Sequence, residues 1–142
     1  MSTTPAQMVG ISGAEAVYLL GGAVLGRLVY ERRGVTFVRP AAHVLEFGRL
    51  VVRTPVQADV FAERTTLTYH TDEIDAVSGT GWSVTASGPA AVITDPDEAA
   101  HYRRTLHGWA HGPHDVLVRI DPHSVDGHRL VPAEVPTRIS PS

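Results

Sequence analysis

An arginine and a threonine stand side by side at Arg53-Thr54, directly after the apolar run Leu50 to Val52. Together they could grip a phosphate group, because a guanidinium presents paired donors to phosphate oxygens and a hydroxyl adds another. The competing interpretation is an arginine paired with a carboxylate at the rim of a sheet. The residue types alone favour the ion pair, and both interpretations stay open.

A tryptophan and a serine form a second candidate pair at Trp82-Ser83. An indole can wall off a flat aromatic cofactor, and a hydroxyl can bond a phosphate or a ring oxygen. A single tryptophan at strand spacing also fits a hydrophobic core, so that alternative remains. No serine occupies a Gly-x-Ser-x-Gly turn, and no catalytic residue is assigned.

Three histidines, His107, His111 and His114, lie close enough in the chain to suggest a zinc site. His107 and His111 are four apart, which suits zinc only on a continuous helix, and Gly112-Pro113 disfavours one. The acidic run from Asp72 to Asp75 lacks the glycine turn of a calcium loop. We therefore predict a solvated loop, a charged strand end and no metal site.

The composition excludes several kinds of chemistry. The 142 residues include no cysteine, and all 12 residues counted as lysine or arginine are arginine. Disulfides, thiolate nucleophiles and lysine Schiff bases are therefore excluded. The formal net charge of -3 argues against an extended nucleic-acid surface. Because no apolar run approaches the roughly 20 residues that span a bilayer, we expect a cytoplasmic protein with no membrane or nucleic-acid partner.

A long strand running into a helix is the most specific structural pattern in the chain. Apolar and polar residues alternate from Trp82 to Ser87, as in a half-buried strand. Gly88-Pro89 should bend this strand, which then resumes towards Ile93. Asp95 followed by Pro96 predicts the start of a helix.

The other predicted elements are mostly strands. They are a helix from Ser12 to Leu20, strands over Leu25 to Tyr30, Val35 to Leu45, Leu50 to Thr54, Thr65 to Thr71, Val116 to Ile120 and Gly127 to Val131, helical turns within Val56 to Arg64, a polar loop over Asp72 to Gly79, and a helix after Asp95 with Ala99, Tyr102, Leu106 and Trp109 on one stripe. About six strands and two helices predict a small, mostly β barrel with helices packed outside it.

The chain should form one folded domain between two tails. We expect residues 1–10 to be a disordered N-terminal tail and residues 11–131 to be the barrel domain. Residues 132–142 form a proline-rich C-terminal tail, because Pro132, Pro136 and Pro141 block regular pairing.

Several short segments, in their order and spacing, resemble the pyridoxamine 5'-phosphate oxidase-like family of flavin-binding split barrels. The segments are Gly26 to Tyr30, Val38 to His43, Leu50 to Thr54, Asp72 to Asp75, Gly81 to Val84, Leu106 to Ala110 and Val125 to Leu130. The resemblance implies a six-stranded split β-barrel, a homodimer, a small-molecule substrate, and FMN or a deazaflavin coenzyme in a groove between the two subunits.

The resemblance also implies positions for cofactor-binding residues. Arg53 and Thr54 match the family's phosphate-binding pair, and the strand containing Arg39, Pro40 and Ala41 matches the one that lies against the flavin ring. Trp82, Ser83 and Arg129 match further cofactor-contacting positions. Two departures matter: no cation follows within residues 55–59, and Ala42 stands where relatives commonly carry asparagine.

Three functions fit these expectations. The first is a flavin-dependent oxidoreductase, with FMN favoured over a deazaflavin and the cofactor carrying the redox chemistry. The second is a module that binds or sequesters flavin without turnover. The third is a degenerate dimeric barrel that has lost its cofactor, which the missing cation after Thr54 motivates.

Overall fold

The computed structural model describes residues 5–62, 66–108 and 114–133. In chain order its elements are β1 (Ala6–Gly10), α1 (Gly13–Gly22), β2 (Leu25–Arg32), β3 (Val35–Glu46), β4 (Arg49–Thr54), a 3-10 turn (Ala58–Phe61), β5 (Thr66–Ile74), β6 (Gly81–Val92), α2 (Pro96–Thr105), β7 (Val116–Ile120) and β8 (Ser124–Pro132).

Six antiparallel strands close into a barrel in the order β2, β3, β4, β7, β6 and β5. β8 extends the sheet from β6, and β1 adds to the outer edge of β8. The predicted mostly β fold with a six-stranded barrel is confirmed, with two strands beyond the barrel.

β6 belongs to both halves of the sheet, and its bend is where it changes partner. Residues Gly81 to Ser87 pair with β8, whereas Ala90 to Val92 pair with β7. Gly88 lies between them, where an added Cβ would come within 2.0 Å of the main-chain oxygen of Asp121. The predicted bend at Gly88-Pro89 is therefore present, because only glycine permits this approach of two backbones.

Each end of the barrel is closed by a different element. α1 begins at Ser12, whose hydroxyl accepts from the main-chain N–H of Glu15 at 3.1 Å, and it buries Ala16 and Leu20 in the core. The 3-10 turn buries Val60 and Phe61 in the same core, beside Tyr30 at the far end of β2. The interior between them is filled by Leu28, Leu50, Val52, Leu67, Tyr69, Val84, Ala86, Val118 and Ile120.

α2 packs on the outside of the barrel rather than at an end. Asp95 caps it as predicted, its carboxylate accepting from the main-chain N–H of Glu98 at 2.8 Å. The helix and the residues next to it cover the outer surface of β3, β4 and β7. Together they form a second hydrophobic core, which consists of Ala42, Val51, Ile93, Ala99, Leu106 and Leu117. The last member of the predicted stripe, Trp109, lies outside the described residues.

Three predictions of irregular structure are wrong in whole or in part. Ala6–Gly10 is a strand rather than part of a disordered tail. Asp72 to Ile74 continue β5, so the predicted polar loop begins only after Ile74, and the charged strand end predicted for the acidic run is present. All five residues of β1 are exposed, and the strand is held by main-chain pairing with β8. Because neither face of β1 is buried, its sequence has no alternation of apolar and polar residues by which to predict it. Pro132, predicted to begin the C-terminal tail and to block pairing, instead ends β8 and pairs with Ala6 of β1. Residues 134–142 of the predicted tail lie outside the described residues.

Candidate functional site

Arg53 lies beneath α2 and is engaged by protein groups. Its Nε and Nη2 donate to the two carboxylate oxygens of Asp115, both at 2.9 Å. Its Nη1 donates to the main-chain oxygens of Arg103 and Leu106 at the C-terminal end of α2, both at 3.1 Å. The hydrogen bonds from Arg53 hold the pKa of Asp115 below its usual value. This geometry matches the ion-pair interpretation, and a phosphate-binding role for Arg53 stays a prediction.

The side chains of Thr54 and Ala41 are buried within the barrel. Thr54 is fully buried, and its hydroxyl donates to the main-chain oxygen of Pro40 at 2.9 Å, which ties the end of β4 to β3. Ala41 is also fully buried among the interior residues. Both side chains hold β3 in place, and any contact with a cofactor would have to come from the main chain beside them.

Arg39 lines a cleft at the end of the barrel that the 3-10 turn closes. This basic cleft has a volume of about 220 Å³ and is lined by Tyr30, Arg32, Phe37, Arg39, Pro55, Val56, Gln57, Val60 and His114. Arg39 lies over the ring of Phe37, 5.1 Å from its centroid, and donates to the main-chain oxygen of Val38 at 3.0 Å. Within the described residues, neither Arg32 nor Arg39 pairs with a carboxylate.

Sequence reasoning missed Arg32, Gln57 and His114 as members of this cleft. Arg32 ends β2 only seven residues before Arg39, whereas His114 precedes β7 in a distant part of the chain. The antiparallel hairpin of β2 and β3 was the one available signal, because it brings the end of β2 back beside the start of β3. Two arginines from β2 and β3 therefore line the same cleft as Pro55, Val56 and Gln57, the segment after Thr54 that carries no cation.

Trp82 lies at the other end of the barrel, against α1. It packs against the core and also lines a cavity of about 470 Å³ formed with residues of α1 and β5. The walls of this aromatic cavity are Val17, Tyr18, Leu19, Gly21, Gly22, Glu73 and Trp82. Trp82 thus has the packing role that the core interpretation predicts, and a role in cofactor binding stays a prediction.

Pro40 and Ser83 lie on the outside of the barrel wall. Pro40 is beside Arg27 of β2, which pairs with Asp72 at 3.0 Å; Asp72 in turn is 3.0 Å from Nε2 of His70. Ser83 is the neighbour of Asp72 across β5 and β6. The same surface exposes four apolar side chains, which we call the outer face: Val24, Leu25, Val38 and Ile74, all between 48% and 67% exposed.

Arg129 holds β8 to α1. Its Nε donates to the carboxylate of Glu15 in the first turn of the helix. Arg129 is also the register partner of Trp82, so this ion pair lies beside the aromatic cavity. Arg129 is thus on the far side of the barrel from Arg39, and one chain does not bring all the predicted cofactor-binding residues into one site.

A buried polar chain anchors the C-terminal end of α1 to the barrel. Nε2 of His43 is 2.9 Å from the main-chain oxygen of Leu20, and Nδ1 is 2.5 Å from the hydroxyl of Tyr69. A carbonyl can only accept, so Nε2 carries the proton, and Tyr69 donates to Nδ1. Burial lowers the pKa of His43 and raises that of Tyr69, so both groups are neutral.

The structure describes only two of the three histidines that we considered as zinc ligands. His107 and His114 fall within the described residues, whereas His111 does not. Over residues 5–62, 66–108 and 114–133, no three histidine, aspartate or glutamate side chains come together as a metal site would require. In the same ranges, each helix is too short to cross a membrane.

The fold and the two openings define a split-barrel protein. The family model for pyridoxamine 5'-phosphate oxidase matches residues 12–138, and the chain belongs to that family. An uncharacterized protein of Mycobacterium tuberculosis is 35% identical over 132 residues, covering 88% of this chain and 87% of its own length.

Solved structures share the fold. A conserved protein from Corynebacterium diphtheriae has a TM-score of 0.69 and 26% identity, covering 87% of this chain and 98% of its own. An FAD binding protein from Mycobacterium smegmatis has a TM-score of 0.62 and 23% identity, covering 86% of this chain and 97% of its own.

Proposed function

We propose that this protein binds FMN with its terminal phosphate in the basic cleft, and that it acts as a homodimeric flavin-dependent oxidoreductase on a small-molecule substrate. The observation that carries the proposal is the pair of arginines, Arg32 and Arg39, which face a cleft of about 220 Å³ without a carboxylate partner in the described residues. Family membership and the FAD-binding solved structures support a flavin as the ligand.

The residues of the cleft fit a phosphate. Arginine binds phosphate through paired, charge-assisted hydrogen bonds. An arginine without a carboxylate partner can form these bonds without first breaking an ion pair. Stacking on Phe37 fixes the direction of the Arg39 side chain before a ligand arrives. Gln57 lines the same cleft, and its side-chain amide offers a further donor.

The flavin ring would lie along β3, outside the barrel wall. Val38 and Pro40 present small, exposed apolar surface there, beside Arg27. A second copy of the chain would cover the ring and the outer face, removing Val24, Leu25, Val38 and Ile74 from water. A bound flavin supplies the hydride chemistry, and the chain supplies position, exclusion of water and hydrogen bonds.

Titration of the purified protein with FMN, FAD and a deazaflavin tests the proposal, with flavin fluorescence as the readout. Wild type should bind FMN with a Kd below about 100 μM, which corresponds to a modest binding free energy. Arg39→Gln should weaken binding about 10- to 100-fold, as expected for the loss of a charge-assisted hydrogen bond. Arg104→Gln is the matched control, because Arg104 is exposed on α2 away from the cleft.

The titration also separates the three functions. Failure of all three flavins to bind would contradict the proposal and favour a barrel that has lost its cofactor. Binding of FMN without reduction of the bound flavin by any candidate donor under anaerobic conditions would favour a sequestering module. Light scattering should give the mass of a dimer, and Leu25→Glu, which places a charge on the outer face, should give a monomer.

A further inference from the structure

We propose that the aromatic cavity between α1 and the barrel binds a small organic cation, an aromatic compound carrying a protonated amine or a quaternary ammonium group, with Glu73 as its counter-ion. This site is distinct from the basic cleft, and the inference does not depend on the proposed flavin function.

The cavity has the size and walls of a small-molecule site. Its volume of about 470 Å³ is large enough for a ligand of one or two rings. Tyr18 on α1 and Trp82 on β6 supply aromatic walls, and Val17 and Leu19 are aliphatic. Aromatic faces attract organic cations through the ring quadrupole, most strongly at tryptophan.

Glycines keep the cavity open on the helix side. Gly21 and Gly22 form the last turn of α1 and line the cavity. A Cβ on Gly22 would meet nothing within 4 Å, so the space beside this residue is empty. Because glycine carries no side chain, this wall of the cavity is formed by main chain alone.

The sign of the ligand charge follows from Glu73. Its carboxylate is exposed, lines the cavity, and has no ion-pair or hydrogen-bond partner among the described residues. Arg129, which lies across Trp82 from Glu73 in the sheet, is already paired with Glu15. The cavity therefore combines apolar aromatic walls with one available negative charge, which selects for a cation with an apolar body.

The wall that α1 provides is held in place from inside the barrel. His43 and Tyr69 fix the main-chain oxygen of Leu20, between the cavity-lining Leu19 and Gly21. A site between a helix and a sheet needs such an anchor, because a sliding helix would collapse the cavity. The anchor makes the cavity a permanent feature of the fold.

Titration with benzyltrimethylammonium and with benzyl alcohol, its uncharged counterpart, tests this site in the full-length protein without added flavin. Main-chain amide shifts in α1 and calorimetry report binding. The cation should bind at least 10-fold more tightly than the alcohol, and Glu73→Gln should remove most of that preference. Asp126→Asn is the matched control, because it removes one exposed charge from β8, outside the cavity.

Three results would overturn the proposal. These are no binding of the cation below about 10 mM, equal binding of cation and alcohol, or unchanged cation affinity in Glu73→Gln. α1 shifts that follow protein concentration but not the cation would show instead that the cavity is a contact between two copies. A separate FMN titration keeps the two proposals apart, since failure of FMN to bind would leave the cation result, obtained without flavin, intact.

Discussion

The two ends of the barrel differ in both their closing element and the charge that they present. At one end, α1 is tied to the wall by the buried chain of Leu20, His43 and Tyr69, and the adjacent cavity is aromatic with a carboxylate. At the other end, the short 3-10 turn is held by apolar packing of Val60 and Phe61, and the cleft is basic. The charged residues at the two ends come from different strands, because Arg32 and Arg39 lie on β2 and β3 whereas Glu73 lies on β5.

If Arg32 and Arg39 bind the phosphate, then Arg53 should stabilise the fold rather than bind the ligand. Arg53→Ala should lower the free energy of unfolding by about 3 kcal/mol, because it removes the donor to the carbonyls of Arg103 and Leu106 and leaves Asp115 with only the longer contact from Arg103, at 3.4 Å. Urea denaturation followed by circular dichroism measures this. Side-chain exposures of only 12% and 22% in the Arg53 and Asp115 pair support a large effect.

Arg49→Ala provides the matched control for that measurement. Arg49 pairs with Asp121, but the two side chains are 60% and 58% exposed, so the loss should stay below about 1 kcal/mol. Unchanged stability in Arg53→Ala, together with lost FMN affinity, would move the phosphate site to Arg53 and remove the contrast between the two ends.

The α1 end should respond to acid through His43. Burial lowers the pKa of His43, so below its usual value of 6.5 the unfolded chain binds a proton that the folded chain does not. Neutral His43 therefore contributes its full stabilisation above pH 6.5. As the pH falls from 6.5 towards the lower pKa of His43 in the folded protein, the free energy of unfolding decreases by up to about 1.4 kcal/mol per pH unit.

Thermal unfolding between pH 7.5 and 5 measures this dependence. His43→Gln should lower stability at neutral pH but flatten the acid slope, since glutamine does not titrate. His123→Gln, an exposed histidine, should retain the wild-type slope. Identical slopes in wild type and His43→Gln would show that acid sensitivity arises elsewhere in the molecule.

The smallest expected effect is that of adding a single methyl group at the wall of the aromatic cavity. Gly22→Ala should leave stability within about 1 kcal/mol of wild type or slightly above it, because alanine favours helix. The same change should weaken binding of benzyltrimethylammonium several-fold, because it adds a methyl group at a residue that lines the cavity. Gly10→Ala, also free of contacts within 4 Å, is the control. Full cation affinity in Gly22→Ala would place the ligand elsewhere.

Local patterns were sufficient to predict most of the fold. The caps at Ser12 and Asp95 and the bend at Gly88-Pro89 depend on residues close in the chain, and all three are present. β1 escaped prediction because its order comes from main-chain pairing with β8, more than 100 residues later, rather than from an apolar pattern.

The candidate sites were less predictable, because they depend on contacts distant in the chain. The partner of Arg53 is Asp115, 62 residues away, and only the closure of β4 against β7 brings the two together. The cleft around Arg39 includes His114, which only the barrel fold brings beside β2 and β3, and the cavity around Trp82 depends on where α1 docks. Family resemblance indicated relevant strands but could not assign each side chain to one end of the barrel.

The affinities of FMN and riboflavin for wild type and Arg39→Gln test the central claim most directly, because the two ligands differ by the phosphate group. We predict that wild type binds FMN about 10- to 100-fold more tightly than riboflavin and that Arg39→Gln removes most of this preference, while riboflavin affinity stays nearly constant. A preference for FMN that survives intact in Arg39→Gln would show that the phosphate lies outside the basic cleft and would contradict the account.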